Sequence, residues 1–182
     1  MYRTRIAAKG FSFPVYSAVT YSLVAQKVLL GAKESALEDA DQLIRQALLH
    51  SLAYFNSEVG IADLVPIPSR SMNTRKRGRD FILEQTYALS ESPQVHVRAV
   101  LRHSRKVKDQ TTLNSRLREK NLSQSMRCAN RVERLNIPVI IIDDLVTSGA
   151  TLREAGRALH EGGFTVLGAV TACVAKPLRY TQ

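Results

Sequence analysis

Residues 139–151 read VIIIDDLVTSGAT, and the order of residue types in this stretch decides the fold. Val139, Ile140, Ile141 and Ile142 form an apolar β-branched run of the kind that fills a strand buried on both faces of a parallel sheet. Asp143 and Asp144 then stand at the carboxyl end of that strand. Thr147, Ser148, Gly149, Ala150 and Thr151 make a turn of hydroxyls and small residues into a helix. Backbone N–H groups, hydroxyls and the positive end of the helix can all point at one phosphate in such a turn. The two carboxylates repel anions but suit sugar hydroxyls or a hydrated magnesium ion. Together these residues describe a pocket for a phosphorylated sugar.

The same 13 residues resemble the phosphoribosyl pyrophosphate (PRPP) motif of type I phosphoribosyltransferases, which runs apolar strand, acidic pair and T-[ST]-G-x-T loop in this order. Two other readings compete. A buried strand ending in Asp-Asp and entering a helix through Thr/Ser caps occurs by chance in α/β proteins. A Walker B strand of a nucleotide hydrolase would require a GxxxxGK[ST] loop, and the chain contains none.

With 182 residues, the chain fits the usual prior of roughly 100 to 200 residues for one domain. Its 45% hydrophobic and 23% charged residues are ordinary for a globular protein. The expectation is therefore one domain over 1–182, with 1–60 a mainly helical lead-in. No stretch approaches the roughly 20 apolar residues that cross a bilayer, so no membrane insertion is expected. The opening MYRTRIAAKGF lacks the apolar core of a secretory signal, and a cytoplasmic location is the default expectation. Two distant cysteines, Cys128 and Cys173, make neither a disulfide framework nor a zinc site, and both are expected as buried small hydrophobes.

Lys and Arg total 26 against 16 acids, a net charge of +10 that points to an anionic partner. That balance does not separate a small polyphosphate from nucleic acid. Basic residues concentrate in 70–79 (RSMNTRKRGR) and 98–118, whereas 34–41 carries the acidic share. Basic runs of this kind are most often solvated loops.

Along the chain, apolar spacing predicts helices over 19–30 and 35–54, separated near Gly31 and Lys33. Residues 61–68 (IADLVPIP) predict a short buried strand stopped by two prolines that lack an N–H. The basic loop follows, then a helix over about 80–90; a strand opening onto a basic, glycine-containing loop is a second candidate anion site. Residues 95–101 alternate like a strand, 102–113 read as a mobile loop, and 115–122 predict a short helix. A helix over 151–160, stopped at Gly162-Gly163, and an apolar strand over 165–175 complete the pattern. Alternating helices and strands favour an α/β parallel sheet with helices on both faces and its ligand outside the strand carboxyl ends.

With these segments placed, the chain resembles the ComF family, the competence-associated branch of phosphoribosyltransferase-like proteins. VPIPSRSMNTRKRGRDF is similar to the family's Val-Pro-x-Pro strand, arginine-rich loop and RGF-N-type turn, with Arg79-Asp80 inserted between Gly78 and Phe81. DQTTLNSRLREKNL is similar to its T-x-x-Q-x-x-L-x-x-x-x-R-x-x-N segment, here with Gln110, Thr111, Leu113, Arg116, Arg118 and Asn121. Residues 21–49 look like the family's helical lead-in. Many members begin with a four-cysteine zinc ribbon; this chain shows no such cysteine set, so no zinc is expected.

The resemblance implies a type I phosphoribosyltransferase fold and a division of labour among residues. Thr147, Ser148, Gly149, Ala150 and Thr151 would take the 5-phosphate of PRPP. Asp143 and Asp144 would hold the ribose hydroxyls, directly or through water and Mg²⁺, as catalytic and metal-binding residues. Arg70, Arg77 and Arg79 are candidates for the pyrophosphate, because a guanidinium fork matches phosphate oxygens. Lys106, Lys108 and Gln110 would close over the site and exclude water.

The implied reaction is attack of an acceptor on the anomeric carbon while pyrophosphate leaves. No protein nucleophile is required, and His50, His96, His103 and His160 are expected in surface or packing roles. The alternative is a single-stranded DNA-binding protein that uses its basic face, as the competence association implies. Aromatic residues at 6% and the absence of Trp make stacking platforms sparse for that reading. A vestigial site in a basic interaction protein is a third possibility. A homodimer is left open.

Overall fold

The protein is described from a computed structural model, which covers residues 1–8, 10–69, 74–75, 77–90, 95–104, 124–129 and 137–175. Seven strands and four helices are present among these residues. They are β1 (Tyr2–Ala8), β2 (Phe11–Thr20), α1 (Leu23–Ser35), α2 (Glu38–Glu58), β3 (Asp63–Pro66), α3 (Phe81–Leu89), β4 (Leu101–His103), β5 (Met126–Cys128), β6 (Ile137–Val146), α4 (Ala150–Glu161) and β7 (Phe164–Val174).

The main sheet has the order β1-β2-β7-β6-β3, and β4-β5 form a separate pair. β2, β7, β6 and β3 run parallel, and β1 closes one edge antiparallel to β2. β7 is the middle strand and β6 lies beside it, flanked on both sides. The apolar run therefore does what its composition predicts: Val139, Ile140, Ile141 and Ile142 are all buried. Ile140 and Ile142 face a core shared with α1, α2 and α3, through Leu29, Leu48, Phe55 and Phe81. Val139 and Ile141 face a second core with Leu152, Ala155 and Leu159 of α4 and with Leu101 and Met126 of the small sheet. Helices thus cover both faces of a mostly parallel sheet, as expected.

Several expectations are corrected. Residues 1–60 are mainly helical through α1 and α2, but they open with the antiparallel strands β1 and β2, which no expectation placed there; Gly10 before β2 has φ 89°. The alternation Phe11 to Tyr16 buries Phe13 and Val15 at the sheet, a period-two pattern overshadowed by the helical pattern after it. α1 starts at Leu23 behind its Ser22 cap, whose side chain accepts from Ala25 N at 3.2 Å. It runs through Gly31 and Lys33 and stops at Ala36, which takes the left-handed conformation at φ 49°. Residues 95–101 do not make one strand. Val97 forms a single parallel bridge to Leu64 on the β3 edge, and Leu101 belongs to the small sheet. The helix expected over 115–122 and most of the loop expected over 102–113 lie outside the described residues.

Candidate functional site

β6 continues past its apolar run, so Asp143 and Asp144 are still within the strand, with Asp143 in register with Thr171 of β7. Both acids are buried. The backbone N–H of Asp144 donates to Asp143 Oδ1 at 2.9 Å, which folds the pair together at the strand's carboxyl end. The Lys33 ammonium, from the last turn of α1, forms an ion pair with Asp144 Oδ2.

Burial acts first on both carboxyls and penalises their charged forms. For Asp143 this is reinforced by the charge of Asp144, and its carboxyl is held well above the usual carboxylate range. For Asp144 burial is outweighed by the charge and hydrogen bond of Lys33, and its carboxyl sits below that range. Two adjacent and identical side chains are thus driven in opposite directions. Burial and the nearby Asp144 charge also push the Cys173 thiol up to about 11, so it is an inert packing group at neutral pH, whereas Cys128 is half-buried.

The turn after β6 passes through Thr147, Ser148 and Gly149 into α4. Gly149 is the N-cap, with φ 74° and ψ 4°, and no side chain caps the helix. The left-handed conformation explains the glycine, since an L side chain there costs about 1–2 kcal/mol. An N-cap without a side chain leaves the first amides of α4 to be satisfied by solvent or by a bound anion. The first helical bond inside the turn runs from Arg153 N to Gly149 O at 2.9 Å. Arg153 also reaches back, donating from Nη2 to Ser148 O at 3.2 Å and from Nη1 to Ala7 O at 3.4 Å. It ties the turn to the β1 edge. Thr147 is exposed, Ser148 and Thr151 are half-buried, and Gly149 and Ala150 are buried.

The basic loop after β3 is placed only in part. Arg77 pairs with Glu34 of α1. Arg79 donates to Asp41 Oδ2 at 2.6 Å, lies 2.7 Å from Glu84 Oε2, and stacks its guanidinium 5.3 Å from the Phe81 ring centroid. These two arginines fasten the loop to α1, α2 and α3. Ser69 Oγ donates to Asp80 Oδ1 at 2.8 Å and closes the base of the loop. Arg70, Lys106, Lys108 and Gln110 lie outside the described residues.

The structure therefore brings together the acid pair and the glycine-capped turn at one end of β6. It adds two residues that the sequence did not single out, Lys33 and Arg153. Lys33 carried no local signal, since a basic residue in a last helical turn is ordinarily a solvated end group. Arg153 follows the turn by two residues, but its reach to β1 depends on the β1–β2 hairpin lying alongside α4. Among the described residues no cluster of three or more His, Cys, Asp or Glu suits a metal ion. His50, His96 and His160 are exposed, and His103 Nε2 lies 3.0 Å from Pro68 O.

The comparisons with known proteins bear on the fold and the family. No curated protein sequence matches the chain. Among solved structures, an adenine phosphoribosyltransferase superposes with a TM-score of 0.50 at 18% identity, covering 79% of this chain and 74% of the other. That likeness is one of fold. Residues 26–181 match the phosphoribosyl transferase domain, a span that includes the acid pair, the glycine-capped turn and every element from α2 onward, and leaves out β1 and β2. The chain belongs to the phosphoribosyl transferase domain family.

Proposed function

We propose that this chain binds PRPP at the end of β6 and transfers its phosphoribosyl group to an acceptor with release of pyrophosphate, as a member of the ComF branch. One observation carries the reading. The acid pair and the left-handed Gly149 cap, with no side chain on the helix end, lie five to six residues apart at one strand end. That arrangement offers hydrogen-bond acceptors to a diol and amide donors to a phosphate, side by side.

In this reading Thr147, Ser148, Gly149, Ala150 and Thr151 hold the 5-phosphate. Asp143 and Asp144 orient the ribose hydroxyls and shelter the positive charge that develops on the ring as the bond to pyrophosphate lengthens. Arg70, Arg77 and Arg79 remain the proposed pyrophosphate ligands, and Arg77 and Arg79 reach it by exchanging Glu34 and Asp41 for phosphate oxygens. Lys106, Lys108 and Gln110 are the proposed cover. Mg²⁺ keeps most of its positions for water and substrate oxygens, so it would sit on the PRPP oxygens beside the acid pair, where Lys33 already holds Asp144 Oδ2. When bound, Mg²⁺ neutralises the departing diphosphate.

The test is calorimetric titration of PRPP with Mg²⁺ into the wild type and the Asp143→Asn/Asp144→Asn double variant, followed by a pyrophosphate-release screen over acceptors. Binding in the wild type and its loss in the double variant are expected. Equal binding by both proteins refutes the assignment.

The reading as a single-stranded DNA-binding protein associated with competence rests on the net charge of +10. Arg3, Arg77, Arg79, Arg98 and Arg157 are each engaged with a carboxylate, which balances their charge locally. A DNA affinity that falls steeply with salt and ignores the acid-pair substitutions would favour it over PRPP transfer.

A further inference from the structure

The phosphate turn and the acid pair account for their own chemistry, but neither accounts for Lys33. A lysine in the last turn of a surface helix ordinarily extends its ammonium into water. Lys33 turns inward instead. It crosses from α1 to the end of β6 and pairs with Asp144 Oδ2, the two side chains being 26% and 9% exposed. Its ammonium also lies 6.0 Å from the Phe81 ring centroid, so α3 borders it on a further side. Arg79 lies against the same ring and is held by Asp41 and Glu84. Within this group Lys33 is the cation that reaches the acid pair.

That placement bears on what else reaches Asp144. Asp143 Oδ1 accepts the Asp144 backbone N–H, and Asp144 Oδ2 is covered by the ammonium. A magnesium ion demands oxygen ligands at about 2.1 Å in near-octahedral order and dehydrates reluctantly. A second cation directly on a carboxylate already paired with an ammonium meets like-charge repulsion, strengthened by the low dielectric of a buried site.

We propose that Lys33 is the resident counter-cation of the acid pair and takes the place of a directly coordinated divalent ion on Asp144. Asp144 is then a charged, fixed acceptor for pentose hydroxyls. A metal ion meets it only through its water shell and the oxygens of the ligand. The proposal rests on the PRPP reading for the identity of that ligand, but its metal arm does not.

The metal arm uses Mn²⁺ alone, with the free-ion signal followed by electron paramagnetic resonance, in the wild type, Lys33→Gln, Lys33→Met and Asp144→Asn. The wild type and Asp144→Asn are expected to leave the free-ion signal alike. Both Lys33 substitutions are expected to tighten Mn²⁺ binding by about tenfold or more, and adding Asp144→Asn to either should abolish the gain. Lys33→Met retains a long apolar stem against Phe81 should the glutamine variant fail to fold. The second arm titrates PRPP at several Mg²⁺ concentrations, and the Lys33 variants should show the steeper metal dependence.

Mn²⁺ binding by the wild type that Asp144→Asn removes would overturn the proposal, and so would Lys33 variants that bind no more Mn²⁺ than the wild type. A metal arm that behaves as expected beside a protein that never binds PRPP sustains the role of Lys33 and refutes the ligand reading instead.

Discussion

Asp143 and Asp144 are the same residue type at adjacent positions, yet the structure predicts stability effects of opposite sign when each is replaced by asparagine. Asp144→Asn removes the direct partner of Lys33 and leaves that ammonium, facing Phe81, with only the weaker attraction of Asp143. Breaking a fully buried pair costs about 3–5 kcal/mol and an exposed one about 0–1. Lys33 is about one-quarter exposed and keeps some water, so a loss of about 2 kcal/mol is expected. Asp143→Asn keeps an oxygen to accept the Asp144 N–H. It also removes a buried carboxyl whose charge is opposed by burial and by Asp144, and a gain of about 1 kcal/mol is expected. For a chain of this size the difference amounts to about 6–12 °C in Tm.

The pH dependence follows with its sign. The Asp144 carboxyl is depressed on folding, so its contribution is present above the ordinary carboxylate value of about 3.9 and is lost as pH falls through the lower folded value. The Asp143 carboxyl is raised, so folding is penalised progressively as pH rises from that ordinary value through the folded one. The deficit of Asp144→Asn should therefore be full at neutral pH and shrink in acid, and the advantage of Asp143→Asn should appear only on leaving acid. Urea unfolding of both variants and the wild type between about pH 2 and 7.5 measures this directly. Equal shifts of the same sign at neutral pH would refute the electrostatic account of the pair.

Three further outcomes are expected. Gly149→Ala forces a side chain into the left-handed conformation at φ 74°, and should cost about 1–2 kcal/mol in urea unfolding while weakening PRPP binding in calorimetry. Gly168→Ala places a Cβ 2.2 Å from Phe55 Cε2 and 2.8 Å from the Pro14 carbonyl; because backbone cannot yield as a side chain can, a Tm drop corresponding to about 3 kcal/mol is expected. Arg157→Met removes the guanidinium that bonds Glu154 and the Met126 carbonyl across α4 and β5, and leaves Glu154 buried with only the Met126 N–H. A loss of about 1–3 kcal/mol in denaturant unfolding is expected for it.

Much of the site was legible because its parts are contiguous in the chain. Strand, acid pair, glycine turn and helix lie within residues 137–161, and each is signalled by local chemistry: β-branched burial, carboxylates at a strand end, glycine where φ is positive. The β1–β2 hairpin was less legible. Its apolar alternation is short and merges into the helical spacing of 19–30, so the period that reaches further masks it. The strand expected over 95–101 failed for a related reason, since the alternation there serves one bridge to β3 and a separate two-stranded sheet.

By itself the sequence determined that a buried parallel strand would end in two acids beside a glycine-containing turn into a helix, because those properties are set by residues that are neighbours in the chain. Only the tertiary structure decided what each acid experiences. Lys33 precedes Asp144 by more than a hundred positions and meets it because α1, packed on α2, carries its last turn to the end of β6. The ionisation of a buried carboxyl depends on charges a few ångströms away in space, and no local pattern of residues carries that distance.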